Sequence, residues 1–170
     1  TVDSSEREGY GDYLRAIAIL EDRTRGVGRV LQREKQVVAL FRHAAAARGP
    51  FGTAVTEALE QSGAAYELSL DFKGCARTVE KMALRPDRPG SVDHVLDLTR
   101  AMAVCKSMKD VALVVKAIGR RLRPCRVKSR FETPTTSGWR DCLINVLVDG
   151  HVCEIQISHE TMIAAREGLH

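Results

Sequence analysis

Two acidic residues, Asp97 and Glu154, stand where a phosphate-handling site would need them. Asp97 precedes an apolar run, and Glu154 lies in residues 151–157, where apolar and polar side chains alternate. This alternation puts Glu154 and Gln156 on the strand face opposite the apolar residues. Two carboxylates brought to one open surface from different strands can hold Mg²⁺, which prefers oxygen ligands and keeps positions for water and phosphate. We predict that Asp97 and Glu154 bind the metal. The alternative is that both are solvated surface acids.

Basic residues accompany the two acids along the chain. Lys73, Arg77 and Lys81 belong to a predicted strand and the helix after it, and Lys128 and Arg130 alternate on a later strand. A triphosphate carries more charge than one divalent ion neutralises, so an enzyme that acts on it needs several such donors. These residues therefore predict a phosphate-binding surface. The alternative is that Lys81 is a solvated helix residue and that Arg77 extends over the helix surface.

The single tryptophan, Trp139, follows Gly138 in a polar loop bordered by arginines. An indole in that setting can stack on a nucleobase, an interaction of about 1–3 kcal/mol. The alternative is that the ring covers the core where the loop returns to the sheet. Trp139 is thus a candidate platform for a nucleobase.

The N-terminal third is predicted to be helical. Apolar residues recur at helical spacing over residues 10–48, with an interruption near Gly26, so two helices or one kinked helix fit equally well. Gly49-Pro50-Phe51-Gly52 predicts an end to that segment, and a short helix is expected over 53–61. We interpret residues 1–63 as a helical scaffold.

Strands dominate the rest of the predicted secondary structure. Pro86 and Pro89 predict a loop, and Ser107 begins a capping-box pattern that starts a helix. The predicted order is a strand from 66, a helix to about 82, a strand over 95–105, a helix to about 122, strands over 124–131, 141–148 and 151–157, and a final helix from about 159. We expect an α+β fold, with a mixed, mainly antiparallel sheet backed by helices.

The strongest hairpin signal in the chain is Asp149-Gly150. With these two residues at the turn, Asn145 lies opposite Glu154 and Leu143 lies opposite Gln156. Asn145 and Gln156 are therefore predicted to share the open sheet face with Glu154.

Composition limits the classes of protein that fit. With 170 residues and 44% apolar content, the chain is long enough for one core, so we predict a single domain over 1–170. It contains no apolar run near the about 20 residues that a membrane helix needs, so we expect no membrane contact. The net charge of +4 is concentrated between Arg120 and Arg130, which favours an anionic partner. Five widely spaced cysteines favour reduced, buried thiols.

The order of these motifs resembles the RelA/SpoT-type synthetase domain, an alarmone synthetase fold related to the polymerase-β nucleotidyltransferases. The resemblance covers about 66–170. The motifs that carry it are Lys73, Lys81-Met82, Asp97, Lys128-Ser129-Arg130-Phe131, Gly138-Trp139 and Glu154-Ile155-Gln156-Ile157.

The resemblance implies a pyrophosphokinase that moves the β,γ-pyrophosphate of ATP to the ribose 3′-hydroxyl of a nucleotide, usually a guanine nucleotide. Toxin-type members act instead on adenine nucleotides or on the 3′ end of tRNA. The expected location is accordingly the cytoplasm, or the cytosol of a target cell if the domain belongs to an exported effector. Protein partners are unknown from the sequence.

The same resemblance assigns roles to residues. Asp97 and Glu154 would hold Mg²⁺, and Glu154 would also activate the attacking hydroxyl. Trp139 would replace the usual tyrosine as the acceptor platform. Asn145 and Gln156, which the hairpin register places on the face of Glu154, are further candidates for binding the acceptor. The phosphate-binding residues would be Lys73, Arg77, Lys81, Arg100, Lys128 and Arg130.

Three positions depart from the family pattern. Asp71 stands where an arginine usually precedes Lys73 by two residues, and Arg77 is the candidate replacement. Leu143 stands where a histidine is usual, and Arg100 comes earlier than the family arginine. These departures keep two alternatives open, a changed acceptor and a catalytically degenerate domain that binds a nucleotide or RNA.

Overall fold

The computed structural model describes residues 3–84 and 90–168. The loop predicted at Pro86 and Pro89 lies outside the described residues. Within them the elements are α1 (Ser4–Thr24), α2 (Val37–Glu60), β1 (Tyr66–Phe72), α3 (Cys75–Ala83), β2 (Thr99–Cys105), α4 (Met108–Arg121), β3 (Pro124–Ser129), β4 (Cys142–Val148), β5 (His151–His159) and α5 (Glu160–Glu167).

The five strands form one sheet in the order β1-β2-β5-β4-β3. β2 and β5 run parallel, and every other neighbouring pair is antiparallel. The predicted mixed, mainly antiparallel sheet is therefore confirmed. Asp149 and Gly150 have φ values of 48° and 78°, as a tight turn between β4 and β5 requires. This turn pairs Asn145 with Glu154, as predicted.

One face of the sheet packs on α1, α2 and α4. The apolar residues of β2, β4 and β5 that face these helices are Ala101, Ala103, Cys105, Cys142, Ile144, Val146, Cys153, Ile155 and Ile157. Gly9 lets α1 approach the start of α4, because a Cβ there would lie 2.4 Å from the backbone nitrogen of Lys109. The Tyr13 hydroxyl lies 2.7 Å from the Ser129 hydroxyl and links α1 to β3. The opposite face is left free of these helices.

The predicted helix end at Gly49-Pro50-Phe51-Gly52 is wrong, because α2 continues through it to Glu60. A proline inside a helix costs about 3 kcal/mol. Phe51, Val55 and Leu59 are almost wholly buried beyond it, and each such burial contributes about 1.5–3 kcal/mol. Tertiary packing therefore outweighs the local signal.

A non-helical segment, residues 25–36, separates α1 from α2. Its Gln32 is 2% exposed and donates to the carbonyls of Val95 and Val152, at 3.0 and 2.8 Å, while accepting from the Val152 amide. The segment is thereby fixed to β5 and to the stretch before β2. No helix of the described residues is both long and apolar enough to cross a membrane.

β2 is shorter than predicted, since it begins at Thr99 and not at residue 95. Residues 95–98 are irregular but buried, and the Lys73 amide donates to the Leu98 carbonyl at 2.8 Å. Asp97 thus lies just before the strand. The Ser107 hydroxyl accepts from the Asp110 amide and begins α4, which confirms the capping pattern.

Candidate active site

A row of polar side chains crosses the sheet on the face opposite the core. The pairing of the strands aligns one residue from each of the five, and side chains alternate between the two faces. The row consists of Asp71, Arg100, Glu154, Asn145 and Arg126. Sequence spacing predicted only the pairing of Asn145 with Glu154, because the other pairings join strands distant along the chain.

Asp97 lies beside this row and is paired with two lysines. Lys73 and Lys81 donate to its Oδ2 at 2.8 and 2.7 Å, while its buried Oδ1 has no hydrogen-bond partner among the described residues. Burial alone would raise the pKa of Asp97, but the two lysines outweigh it and lower the pKa below its usual value. Asp97 is therefore an anion at neutral pH with one oxygen available.

The pKa of Glu154 is shifted in the direction opposite to that of Asp97. Its half-buried carboxylate accepts no hydrogen bond from the described residues. Burial raises the pKa of Glu154, and the negative charge of Asp97 raises it further, against the opposing charges of Lys81, Arg100 and Arg130. The two predicted acids are thus near enough to interact, and Glu154 is the one that gains a proton more readily.

The two acids fit a divalent cation in one specific respect. The buried Oδ1 of Asp97 lacks any donor from the described residues, as expected of an oxygen reserved for a metal. No group of three or more His, Cys, Asp or Glu side chains in 3–84 and 90–168 could enclose a metal. Two carboxylates with open positions suit Mg²⁺, which retains waters and substrate phosphates.

A cavity of about 640 Å³ and a second of about 730 Å³ adjoin β1, and both are lined by Asp71 and Arg100. The second also contains the three predicted phosphate-binding residues Lys73, Arg77 and Lys81. The Lys73 side chain is only 13% exposed, and burial lowers its pKa despite the attraction of Asp97. The larger cavity therefore presents cations beside Asp97.

The other two predicted cations of this cavity, Arg100 and Arg77, are also paired with acids. Arg100 donates from Nε to Asp71 Oδ2 at 2.8 Å across the β1–β2 pair, and Arg77 contacts Glu80 at 3.3 Å on an exposed helix surface. The departure at position 71 therefore does more than remove a cation, because it also partly neutralises Arg100. Pairing of opposite charges on adjacent strands is the signal that could have revealed this.

A third carboxylate, Asp141, was missed by the sequence analysis. It is fully buried and accepts from Arg130 through both Nε and Nη2, from Trp139 Nε1 at 2.8 Å, and from Gln156 Nε2 at 2.7 Å. Three predicted residues from separate stretches of the chain therefore meet at one buried acid. We call Asp141, Arg130, Trp139 and Gln156 the Asp141 cluster. The available signal was an acid two residues after Trp139, directly before an apolar strand.

The remaining predicted residues differ in accessibility. Lys128 is exposed, and its pKa is lowered by partial burial of its ammonium and by Arg126 and Arg130, with Glu154 opposing. Asn145 is 3% exposed, and its amide lies 3.4 Å from the Cys153 carbonyl as a donor. Asn145 thus has little surface for a ligand, whereas Lys128 is open to one.

The Trp139 ring is half-buried and has a cation against it. The Arg166 guanidinium, on α5, lies 5.6 Å from the ring centroid, within the range of a cation–π interaction. The indole nitrogen is bound to Asp141. The orientation of the ring is thereby fixed by Arg166 against its face and by Asp141 at the indole nitrogen.

Comparison with known proteins identifies the fold. No protein-family model matches the sequence, and no curated protein matches it. Solved structures do match: the small alarmone synthetase 2 of Bacillus subtilis is 20% identical with a TM-score of 0.58, covering 78% of this chain and 76% of that one. The small alarmone synthetase 1 of the same organism, bound to its product pppGpp, is 17% identical with a TM-score of 0.59 over the same shares. The chain therefore has the alarmone synthetase fold.

The Type VI effector Tas1, solved with its immunity protein, also matches. It is 18% identical, with a TM-score of 0.58, over 74% of this chain. This chain spans 62% of the length of Tas1.

Proposed function

We propose that this protein is a nucleotide pyrophosphotransferase that moves the β,γ-pyrophosphate of ATP to the ribose 3′-hydroxyl of a purine nucleotide. The observation that carries the proposal is the position of Asp97. Its carboxylate accepts from Lys73 and Lys81, which line the cation-rich cavity, and its other, buried oxygen accepts no hydrogen bond from the described residues. Asp97 is also near enough to Glu154 to raise the pKa of that acid. The alarmone synthetase fold supports the same reaction class.

The cavity beside β1 would receive the ATP phosphates. Lys73 and Lys81 would bind phosphate oxygens while remaining paired with Asp97, and Arg100 and Arg77 would exchange their acidic partners for phosphate. Positioning and charge neutralisation are the main needs of phosphoryl-type transfer.

Asp97 and Glu154 would hold Mg²⁺, which supplies positive charge to the phosphates when bound. The protein's part is to keep Asp97 ionised through its two lysines. Gln32 contributes indirectly, because it is bonded to the backbone two residues before each of the two acids.

Glu154 would accept the proton of the acceptor 3′-hydroxyl. The hydroxyl oxygen then forms a bond to the β-phosphorus of ATP, the bond from that phosphorus to the α,β-bridging oxygen breaks, and AMP departs with that oxygen. The raised pKa makes Glu154 a stronger base than a solvated glutamate. Lys128 and Arg130, near Glu154, would face the phosphates.

The acceptor base would stack on Trp139, on the ring face away from Arg166. A guanine nucleotide is our first choice, because the matched Bacillus subtilis enzyme was solved with pppGpp as its product. An adenine nucleotide or a tRNA 3′ end is the toxin-type variant, which the likeness to the effector Tas1 supports.

A second candidate function is nucleotide binding without transfer. Asp71 favours it, because this acid partly neutralises Arg100 at the cavity proposed for ATP. Only the transferase would form a pyrophosphorylated acceptor, so that product distinguishes the two functions.

The test is transfer of label from γ-labelled ATP in the presence of Mg²⁺ to separate pools of GDP, GTP, ATP and tRNA. We expect a labelled guanine nucleotide and one AMP for each transfer. Glu154→Gln should abolish the product, and Glu67→Gln, which removes an exposed carboxylate from β1, should not. Nucleotide binding without label in any pool would establish the second candidate instead.

A further inference from the structure

Asp141 lies directly before β4 and has no exposed surface. A buried carboxylate is costly unless charge and hydrogen bonds compensate it. Here Oδ1 accepts from Arg130, and Oδ2 accepts from Arg130, Trp139 and Gln156. Every one of these donors is a side chain, so among the described residues the carboxylate orients side chains and not the backbone.

We propose that Asp141 is a positioning residue for the acceptor, which holds the Trp139 ring and the Arg130 guanidinium in the orientation that a purine nucleotide requires. The inference rests on the proposed function for the identity of the acceptor. Being wholly buried, Asp141 does not itself touch the nucleotide. Its effect passes through the partly exposed side chains of the Asp141 cluster.

The loop that carries Trp139 is held independently of Asp141. The Trp139 amide donates to the Thr135 hydroxyl at 3.0 Å, the Thr135 amide donates to the Trp139 carbonyl at 3.1 Å, and the Gly138 amide donates to the Thr135 carbonyl. These bonds fix the backbone of the loop. The indole N–H, by contrast, is bound only to Asp141 among the described residues. Loss of the carboxylate should therefore remove the hydrogen bond that orients the ring, leaving the Arg166 contact and the loop backbone in place.

The guanidinium of Arg130 depends on the same acid. Its two bonds to Asp141 form a bidentate pair, which fixes the plane of the guanidinium as well as its position. The side chain is 28% exposed, so part of it can still meet a phosphate. One carboxylate thus couples the orientation of a stacking surface to that of a phosphate-binding group.

The test compares Asp141→Asn with Asp110→Asn. Asp110 is a matched control because its carboxylate also accepts two hydrogen bonds, from Ser107 and the Ala65 amide, but at the start of α4. Emission of Trp139, the single tryptophan, reports binding directly when GDP or ADP is added without ATP. Transfer assays then give KM for the acceptor and for ATP separately.

One of the two nucleotides should quench the emission of the wild type. We expect Asp141→Asn to weaken the binding of that nucleotide by about tenfold, as loss of an orienting partner commonly does, and to leave KM for ATP unchanged. Asp110→Asn should lower the melting temperature without changing either constant. Equal effects of the two variants on acceptor affinity, or unchanged affinity in Asp141→Asn, would overturn the proposal. So would wild-type emission that responds to neither nucleotide.

Trp139→Phe tests the route through the indole N–H, because it removes the donor and retains an aromatic ring. Measured by calorimetry, Asp141→Asn should weaken binding less in the Trp139→Phe background than in the wild type. Full additivity would show that the carboxylate acts elsewhere and would refute the positioning role for the ring. If binding follows this pattern but no label is transferred, the positioning role stands and the proposed transferase function fails.

Discussion

The proposed donor side of the open face lies around β1, α3 and Asp97, and the proposed acceptor side lies around the Asp141 cluster. The two sides use acids in opposite ways. On the proposed donor side, Asp71 and Glu80 pair with cations at the surface, and one oxygen of Asp97 accepts no hydrogen bond from the described residues. On the acceptor side, Asp141 is saturated with donors and sealed from water. Surface pairs can be exchanged for a ligand at little cost, whereas a buried acid cannot change partners without a large penalty. The ion pairs of the proposed donor side can thus be exchanged for a charged ligand, whereas the buried acid of the proposed acceptor side fixes the orientation of the side chains bonded to it.

Neutralising each of the two proposed catalytic acids should give the largest effects and should affect stability differently. Glu154→Gln should reduce transfer by orders of magnitude while leaving the melting temperature equal or higher, because the raised pKa of Glu154 means that folding disfavours its charged form. Asp97→Asn should reduce transfer as much and also lower the melting temperature, since it leaves Lys73 and Lys81 without their anion. Labelled transfer and thermal unfolding measure both. Near wild-type turnover in either variant would contradict the two-acid site.

The pH dependence of transfer should reflect Glu154. The folded pKa lies above the ordinary value of 4.5, so the base is lost to protonation at a higher pH than a solvated glutamate would be. The acid limb of kcat/KM should therefore lie above pH 4.5, and stability should increase as pH falls through the raised folded pKa toward 4.5. A limb at or below that value would exclude Glu154 as the base.

Removing the aromatic ring of Trp139 should weaken the binding of the acceptor and not that of ATP. Trp139→Ala should raise KM for the acceptor by about tenfold or more, in line with about 1–3 kcal/mol for stacking, with KM for ATP unchanged. Trp139→Tyr keeps an aromatic ring and should retain much of the activity. If the alanine variant chiefly loses stability, the ring covers the core and is not a platform.

Freeing Arg100 from its ion pair with Asp71 should strengthen the binding of ATP. Asp71→Asn removes the partner of Arg100, so KM for ATP should fall by about threefold, a modest effect because both side chains are substantially exposed. Glu67→Gln, on the same strand, is the control for loss of a surface charge. A rise in KM for ATP would mean that the ion pair organises the cavity.

The smallest effect is expected outside both regions. Replacing Arg120, Arg121 and Arg123 together by glutamine should leave transfer to a mononucleotide unchanged, because these residues lie at and just beyond the end of α4. If tRNA is the acceptor, the triple variant should bind it more weakly and with a shallower dependence on salt. Binding measured at several salt concentrations distinguishes the two acceptors.

Local patterns determined much of the fold in advance. Asp149-Gly150 and the alternation around it predict β4, β5 and the pairing of Asn145 with Glu154, and Ser107 predicts the start of α4. These features depend on residues close in sequence, whose turn and capping preferences act with little help from the rest of the chain. The continuous α2 could not be predicted this way, because the burial that outweighs Pro50 comes from packing of Phe51 and its neighbours against residues distant along the chain.

Sequence by itself therefore determined the identities of the candidate groups and the face that carries Glu154. Tertiary structure decided which groups meet. The parallel pairing of β2 with β5 places Arg100 beside Glu154, and folding brings Lys73 and Lys81 to one oxygen of Asp97. Arg130, just beyond β3, and Gln156, on β5, likewise reach Asp141. Such contacts join distant stretches of chain, and their energies come from burial and charge that exist only in the folded state.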